Sequence, residues 1–383
     1  MAEGGTLRVA LDVSAVPADP VGAGRYTLEL ASALAAAGTC PLSLVARVDD
    51  AERWRRLVPG AEVLAEAPRS RPARLVWGEL ALGRALSHLS RPPDVLHGPH
   101  YTLPATAPCP TVVTVHDLTF LDHPEWHERS KVVVFRRALR RAVDADVVVC
   151  VSQATASRFS ALLAPRCPVL VVPHGVDHDR FRPTESDPAL APSDAAVLDR
   201  LGVRPPYVLH VGTVEPRKDL GRLVAAFDVL AGERSDLSLV LAGKPGWGVA
   251  GLDAALGSAR HAGRVRRLGY VAEGDLPSLV RSAAAVAYPS LEEGFGLPAL
   301  EALACGSPLV TTAGSVMASL AGDAALVVPP GLPEALAAQL EVALDGGPDV
   351  ARRRRLGLEV AAAHTWAKVA EGHLAAYRLA AAR

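Results

Sequence analysis

The stretch Tyr207-Val208-Leu209-His210-Val211-Gly212-Thr213-Val214-Glu215-Pro216-Arg217-Lys218-Asp219-Leu220 decides the fold. A short, mostly apolar run ends on a glycine, which is the pattern of a buried parallel strand meeting its turn. It follows a break in character: Arg182-Pro183-Thr184-Glu185-Ser186-Asp187-Pro188 is turn-rich, and prolines recur to Pro205-Pro206. Strands are expected before the break at 7–13, 42–47, 94–97, 112–116, 147–151 and 170–173, and after it at 207–211, 237–242, 265–269, 285–288, 309–312 and 326–328. Ala/Leu-rich stretches of helical spacing lie between them, such as 26–37 and 129–143. The alternation predicts an α/β protein with two doubly wound, Rossmann-like domains facing across a cleft. The expected boundaries are 1–182, a linker at 183–206, 207–364, and a docking helix within 365–383.

Bulk properties agree with that reading. The 383 residues suggest two domains, with three within range. Half the residues are hydrophobic but only 4% aromatic, so Ala, Val and Leu must fill the core. A formal charge of −1 gives no global drive toward nucleic acid. No apolar run reaches membrane-spanning length, and Met1-Ala2-Glu3-Gly4-Gly5 does not open a signal peptide. The five cysteines are scattered with no C-x-x-C pair, so reduced thiols, a cytoplasmic setting and no zinc site are expected. Arg352-Arg353-Arg354-Arg355 is expected to form a solvated helix face. A patch for anionic lipid, with peripheral membrane contact, is the alternative.

Several segments carry candidate chemistry at expected strand ends. In Glu293-Gly294-Phe295-Gly296-Leu297-Pro298-Ala299-Leu300-Glu301, Pro298 suits the first position of a helix, which places Glu301 in its first turn. Gly294 and Gly296 allow an open loop whose N–H groups can face an anion, flanked by two acids that can accept hydroxyl hydrogen bonds. Phosphate plus sugar hydroxyls describes a nucleotide sugar. An acid in a first turn also serves simply to complement the helix dipole. Gly212, Thr213, Arg217 and Lys218 form a glycine turn followed by cations suited to phosphate, with a surface pair beside Asp219 as the alternative. Gly22 and Gly24 open the first helix, where backbone can approach a diphosphate or an acceptor, or can simply make a tight helix entry. His116 can act at a sugar hydroxyl, with Asp117 positioning it. Asp144-Ala145-Asp146 precedes a strand and reads as a strand boundary rather than a metal-binding D-x-D.

Together these segments resemble one family. Residues 293–301 resemble the E-x7-E element of retaining glycosyltransferases of the GT-B fold, family 4. Residues 212–220 resemble that family's G-T-x-E-P-R-K-N-L segment, with Asp219 in place of the usual Asn. Gly22–Tyr26, Val115-His116-Asp117-Leu118, Pro173-His174-Gly175-Val176-Asp177 and Ala242-Gly243-Lys244-Pro245-Gly246-Trp247 also match. The resemblance implies that Arg217 and Lys218 bind the donor diphosphate. It implies that the amides of Phe295, Gly296 and Leu297 contact phosphate or donor sugar, and that Glu301 binds ribose. Glu293 would then bind the transferred sugar, and His116 would sit at its reacting face. Many relatives carry Arg where this chain has Thr213. The first domain is implied to serve the acceptor, and the last helix to cross back onto it.

The expected activity is transfer of a hexose with retention from a nucleotide sugar, GDP-mannose first, to a hydroxyl acceptor. That acceptor would be a glycan, a lipid-linked glycan or a small molecule. No metal or other cofactor is expected, because cations of the chain would serve the leaving group. A nucleotide-sugar epimerase of the same fold and a non-catalytic sugar-nucleotide-binding protein are the alternatives.

Overall fold

The computed structural model describes residues 6–383. It contains two units. The first comprises the chain up to Glu125, Arg129–Gly175 and Trp366–Arg383; the second comprises Trp126–Glu128 and Val176–Thr365.

The first unit is built on seven strands: β1 (Val9–Asp12), β2 (Leu42–Arg47), β3 (Glu62–Ala67), β4 (Val95–Gly98), β5 (Thr111–Val115), β6 (Val147–Cys150) and β7 (Val169–Val171). Their order is β3-β2-β1-β4-β5-β6-β7, and every pairing is parallel. Strand β3 escapes the sequence reading because Glu62-Val63-Leu64-Ala65-Glu66-Ala67 carries two carboxylates and is only half-buried along most of its length. Its edge position explains that composition: one long side is unpaired and wet.

Helix Trp366–Ala381 belongs to this unit although it ends the chain. Val369, Leu374 and Tyr377 pack in one core with Tyr26, Leu30 and Leu34 of helix Ala23–Ala37. Each such fully buried side chain contributes about 1.5–3 kcal/mol. A hydrogen-bonded chain locks the same helix. His373 Nδ1 donates to the Val369 carbonyl at 2.8 Å, so its Nε2 accepts from the Tyr26 hydroxyl at 2.7 Å. Tyr26 accepts in turn from Thr114 Oγ1 at 2.9 Å, and Thr114 from His97 Nε2 at 2.9 Å. His97 Nδ1 closes the chain by accepting from the Tyr377 hydroxyl at 2.8 Å. Every donor has an acceptor when both imidazoles and all three hydroxyls are neutral, which buried polar groups require.

The second unit is built on six strands: β8 (Tyr207–Val211), β9 (Ser238–Ala242), β10 (Val265–Gly269), β11 (Ala285–Tyr288), β12 (Leu309–Thr312) and β13 (Ala325–Val328). The order is β10-β9-β8-β11-β12-β13, again all parallel. In both units the chain reverses its winding direction beside the first strand: between β1 and β4, and between β8 and β11. Doubly wound sheets bind ligands beyond the carboxyl ends of the strands at that switch point.

Two expectations need correction here. Residues 183–206, read as a linker, contain helix Leu190–Leu201, whose buried Asp194 accepts from Nε and Nη2 of Arg281, one on each carboxylate oxygen. The prolines around it, and Pro192 in its first turn, hid a helix of ordinary amphipathic spacing. The arginine run lies on helix Pro348–Ala362 but is not simply a solvated face. Arg353 donates to the carbonyls of Asp323 and Ala325, both at 2.8 Å, and Arg354 donates to that of Gly306. These two guanidiniums satisfy the ends of neighbouring elements.

Candidate active site

In the second unit, the loop after β8 is fixed from behind by the loop after β9. Gly212 N donates to Ala242 O at 2.8 Å, Val214 N to Lys244 O at 3.1 Å, and Gly248 N to Val214 O at 3.1 Å. The approach is so close that a Cβ on Gly243 would lie 1.9 Å from the Gly212 carbonyl oxygen. The loop then makes a 3-10 turn over Pro216–Lys218 and leaves it through Asp219, at φ 51° and ψ 44°. This left-handed conformation explains why Asp or Asn belongs there, since both tolerate it better than other side chains with a Cβ.

From the neighbouring strand β11 comes the second half. The chain passes Ser290 and Glu293 and enters helix Leu297–Ala304, with Gly296 at φ 95° as its cap. Leu297 is therefore the first helical residue, Pro298 the second and Glu301 the fifth. Glu301 is not in the first turn, as the sequence suggested. It lies in the second turn and is buried to 2% exposure, so it is not a surface complement to the helix dipole. The Gly296 and Leu297 amides open the helix, where N–H groups have no intrahelical partner.

The two halves meet through charge. Glu293 receives Arg217 Nη1 on one carboxylate oxygen and Lys218 Nζ on the other. Arg217 also donates to Glu215 at 2.7 Å and to the Glu292 carbonyl at 3.1 Å. Burial alone would favour a neutral Glu293. The Arg217 and Lys218 cations outweigh it and hold this carboxyl down to about 2. Thus Gly212, Thr213, Arg217, Lys218, Glu293, Gly294, Phe295, Gly296, Leu297 and Glu301 all stand at the carboxyl edge of one sheet, at its switch point.

Sequence reasoning missed three polar residues at this edge. Arg222 is buried and donates to the carbonyls of Pro289 and Pro329 and to Thr312 Oγ1, tying the ends of β11, β12 and β13 together. His210 donates from Nδ1 to the Ala287 carbonyl at 2.9 Å, which leaves Nε2 as a buried acceptor with no partner among the described residues. Burial first, then the Lys218 cation, lowers its pKa to about 4, so the ring is neutral. The Ser290 hydroxyl is also buried with no partner among the described residues. Only its position just beyond a strand end could have flagged Ser290; His210, inside β8, gives no signal in the sequence.

In the first unit, Gly22 caps helix Ala23–Ala37 at φ 51°. A Cβ on Gly24 would press on Pro17 at 3.2 Å, so this glycine serves the helix entry. His116 follows β5. Its Nε2 donates to the Pro99 carbonyl at 2.8 Å, and the Tyr26 ring stands edge-on at 4.9 Å. Burial lowers the His116 pKa, partly offset by the Pro99 carbonyl and Asp117, which leaves Nδ1 of the neutral ring as an acceptor. Asp117 does not hold the ring through a hydrogen bond, contrary to expectation. Its Oδ1 accepts from the Thr119 amide at 3.2 Å and hydroxyl at 2.9 Å, shaping the turn after β5. Asp146 of the nominal D-x-D is likewise structural, accepting from the Thr111 amide at 2.7 Å.

Comparison with known proteins names the class. Residues 20–180 match the model of Glycosyltransferase Family 4, and residues 200–358 match Glycosyl transferases group 1. The chain is 32% identical over 292 residues to an O-antigen chain mannosyltransferase B of Escherichia coli, covering 74% of each. It is 37% identical over 235 residues to a D-inositol 3-phosphate glycosyltransferase of Kineococcus radiotolerans, covering 55% of this chain and 52% of that one. Among solved structures, the fold matches WaaG, a glycosyltransferase involved in lipopolysaccharide biosynthesis, with a TM-score of 0.74 and 18% identity over 97% of this chain and 99% of that one. It also matches Anabaena HepE in complex with UDP and glucose, at 0.72 and 19% over 96% and 98%. The chain belongs to glycosyltransferase family 4 and has the GT-B fold. It is a glycosyltransferase.

Proposed function

We propose that this enzyme transfers a hexosyl group, with retention of configuration, from a nucleotide sugar to a hydroxyl acceptor, and that GDP-mannose is its first donor. One observation carries the reading. Two cations, a helix-opening pair of amides and the carboxylates of Glu293 and Glu301 stand at one switch point, the group types that a diphosphate and sugar hydroxyls call for. The donor diphosphate takes Arg217 and Lys218, the Glu301 carboxylate takes the ribose hydroxyls, and Glu293 takes hydroxyls of the transferred sugar. His116 Nδ1 accepts from a hydroxyl on that sugar's reacting face. The mannose assignment leans on the mannosyltransferase relatives.

The chemistry follows from the charges. The anomeric C–O bond to the diphosphate breaks, and the cations stabilise the negative charge on the departing oxygen. The acceptor oxygen then bonds to the same face of the anomeric carbon. Its proton passes to the phosphate oxygen that has just left. Fixed cations suit a metal-independent reaction. A donor-by-acceptor screen read by mass spectrometry tests the reading. A product heavier than its acceptor by one hexose supports it. Release of free sugar or an epimerised donor in every well would instead favour the epimerase.

A further inference from the structure

The first unit contains a cavity of about 700 Å³, lined entirely by its own residues. It lies beyond the carboxyl ends of β1 and β4, at that sheet's switch point, between helices Arg71–Leu80 and Arg129–Ala142. His100 lines it, and its ring stands 5.6 Å from that of His116. Apart from this histidine, the walls are mostly apolar, with Leu75, Leu103 and Phe135 among them. At the rim, Val76 and Leu80 are 58% and 72% exposed.

The charges in this cavity do not balance. Arg71, Arg74, Arg137 and Arg141 line it against only Asp12 and Glu79. Glu79 is shared: one oxygen accepts from Arg137 and from Arg141, both at 2.5 Å. One carboxylate cannot neutralise two guanidiniums. Arg74 is held in place by the carbonyls of Pro68 and Arg69, at 3.2 and 2.9 Å. Burial disfavours its charge first, the nearby Arg47 adds to this, and Asp12 offsets only part. Arg71 makes no ion pair among the described residues. A greasy pocket with surplus, forked guanidiniums suits a ligand that brings two negative charges and an apolar segment.

We propose that this cavity takes the acceptor, and that the acceptor carries a phosphate-type anion beside an apolar segment; this rests on the glycosyl-transfer reading above. The anion lies against Arg71 and Arg74, with the excess charge of the Arg137–Glu79–Arg141 cluster behind it. The apolar segment follows the Leu75–Phe135 wall toward Val76 and Leu80. A lipid-linked phosphate offers both parts; a soluble phosphorylated hydroxyl compound offers the anion alone.

Calorimetry on the full chain tests it with n-decyl phosphate below its micelle concentration, neutral n-decyl maltoside, myo-inositol 1-phosphate and GDP. Decyl phosphate should bind at least about tenfold more tightly than decyl maltoside, since charge-assisted hydrogen bonds carry such factors. Arg71→Glu should remove about tenfold or more of that affinity. Arg71 is exposed and unpaired, so folding should not suffer, and GDP binding in the second unit should change less than twofold. A need for the tail supports the proposal; inositol phosphate binding as tightly as decyl phosphate overturns it, because that probe brings the anion without the apolar segment. Equal affinity for the neutral and phosphorylated probes, or no effect of Arg71→Glu, overturns the proposal. Decyl phosphate binding as expected, with no GDP binding at all, would leave the anion site standing and count against the transfer reading alone.

Discussion

Lys218 and Glu293 show why a residue's type does not fix its role. The Glu293 carboxylate pairs with both cations on which the diphosphate is proposed to sit. Lys218→Ala should weaken nucleoside diphosphate binding by roughly 10- to 100-fold, the worth of a charged hydrogen bond of about 1.5–3 kcal/mol. Calorimetry reads this directly, and unchanged affinity would remove Lys218 from the donor site. Glu293→Gln frees the cations. Nucleoside diphosphate affinity should hold or rise while turnover falls. Glu301→Ala should weaken that affinity, because ribose is present in both donor and product. Equal weakening by the Glu293 and Glu301 variants would refute the division of labour. The motif at 293–301 was legible in the sequence. The Arg217–Glu293–Lys218 pairing was not, because 75 residues separate Lys218 from Glu293 and only strand order brings them together.

At the scale of elements, the loop after β8 depends on the loop after β9 rather than on its own residues. Gly243→Ala would set a Cβ 1.9 Å from the Gly212 oxygen, against backbone that cannot rotate away. The β8 loop must shift, so nucleoside diphosphate affinity should fall at least about tenfold, on the order of one charged hydrogen bond. Decyl phosphate binding in the first unit should persist. A variant with unchanged nucleotide affinity would show that the loop's position is not set from behind. Most strands were legible because burial on both faces writes a continuous apolar run. Strand β3 was not, since its edge position leaves it half-buried and its two carboxylates, Glu62 and Glu66, interrupt the apolar run. Helix Leu190–Leu201 was hidden by the prolines around it and by Pro192 in its first turn, where proline is tolerated. The Asp117 side chain went unread because a turn-forming Asp and a ring-orienting Asp look alike in sequence.

The whole molecule carries an acid sensitivity in its histidines. Burial is the largest cause that lowers His97, His100, His116, His174 and His373, with His100 at about 3 and His373 at about 4. Each would titrate near the ordinary 6.5 in the unfolded chain, so the unfolded state takes up protons first as pH falls. Stability is therefore retained above about 6.5 and lost progressively toward about 4, by up to roughly 1.4 kcal/mol per pH unit for each such group. The melting temperature should fall steeply between pH 6.5 and 5, and His373→Asn should flatten that slope. A melting temperature independent of pH over this range would contradict the neutral Tyr377–His97–Thr114–Tyr26–His373 chain that locks the last helix.

The central claim concerns what happens at the anomeric carbon. Glu293 is engaged by Arg217 and Lys218, the cations proposed to hold the departing diphosphate. The account therefore predicts that the leaving group itself receives the acceptor proton on the face it vacates. The decisive measurement is the proton NMR spectrum of freshly formed product from an α-linked nucleotide sugar, recorded before any anomer can equilibrate. The account predicts a new α-glycosidic signal. A β-glycosidic signal would contradict it.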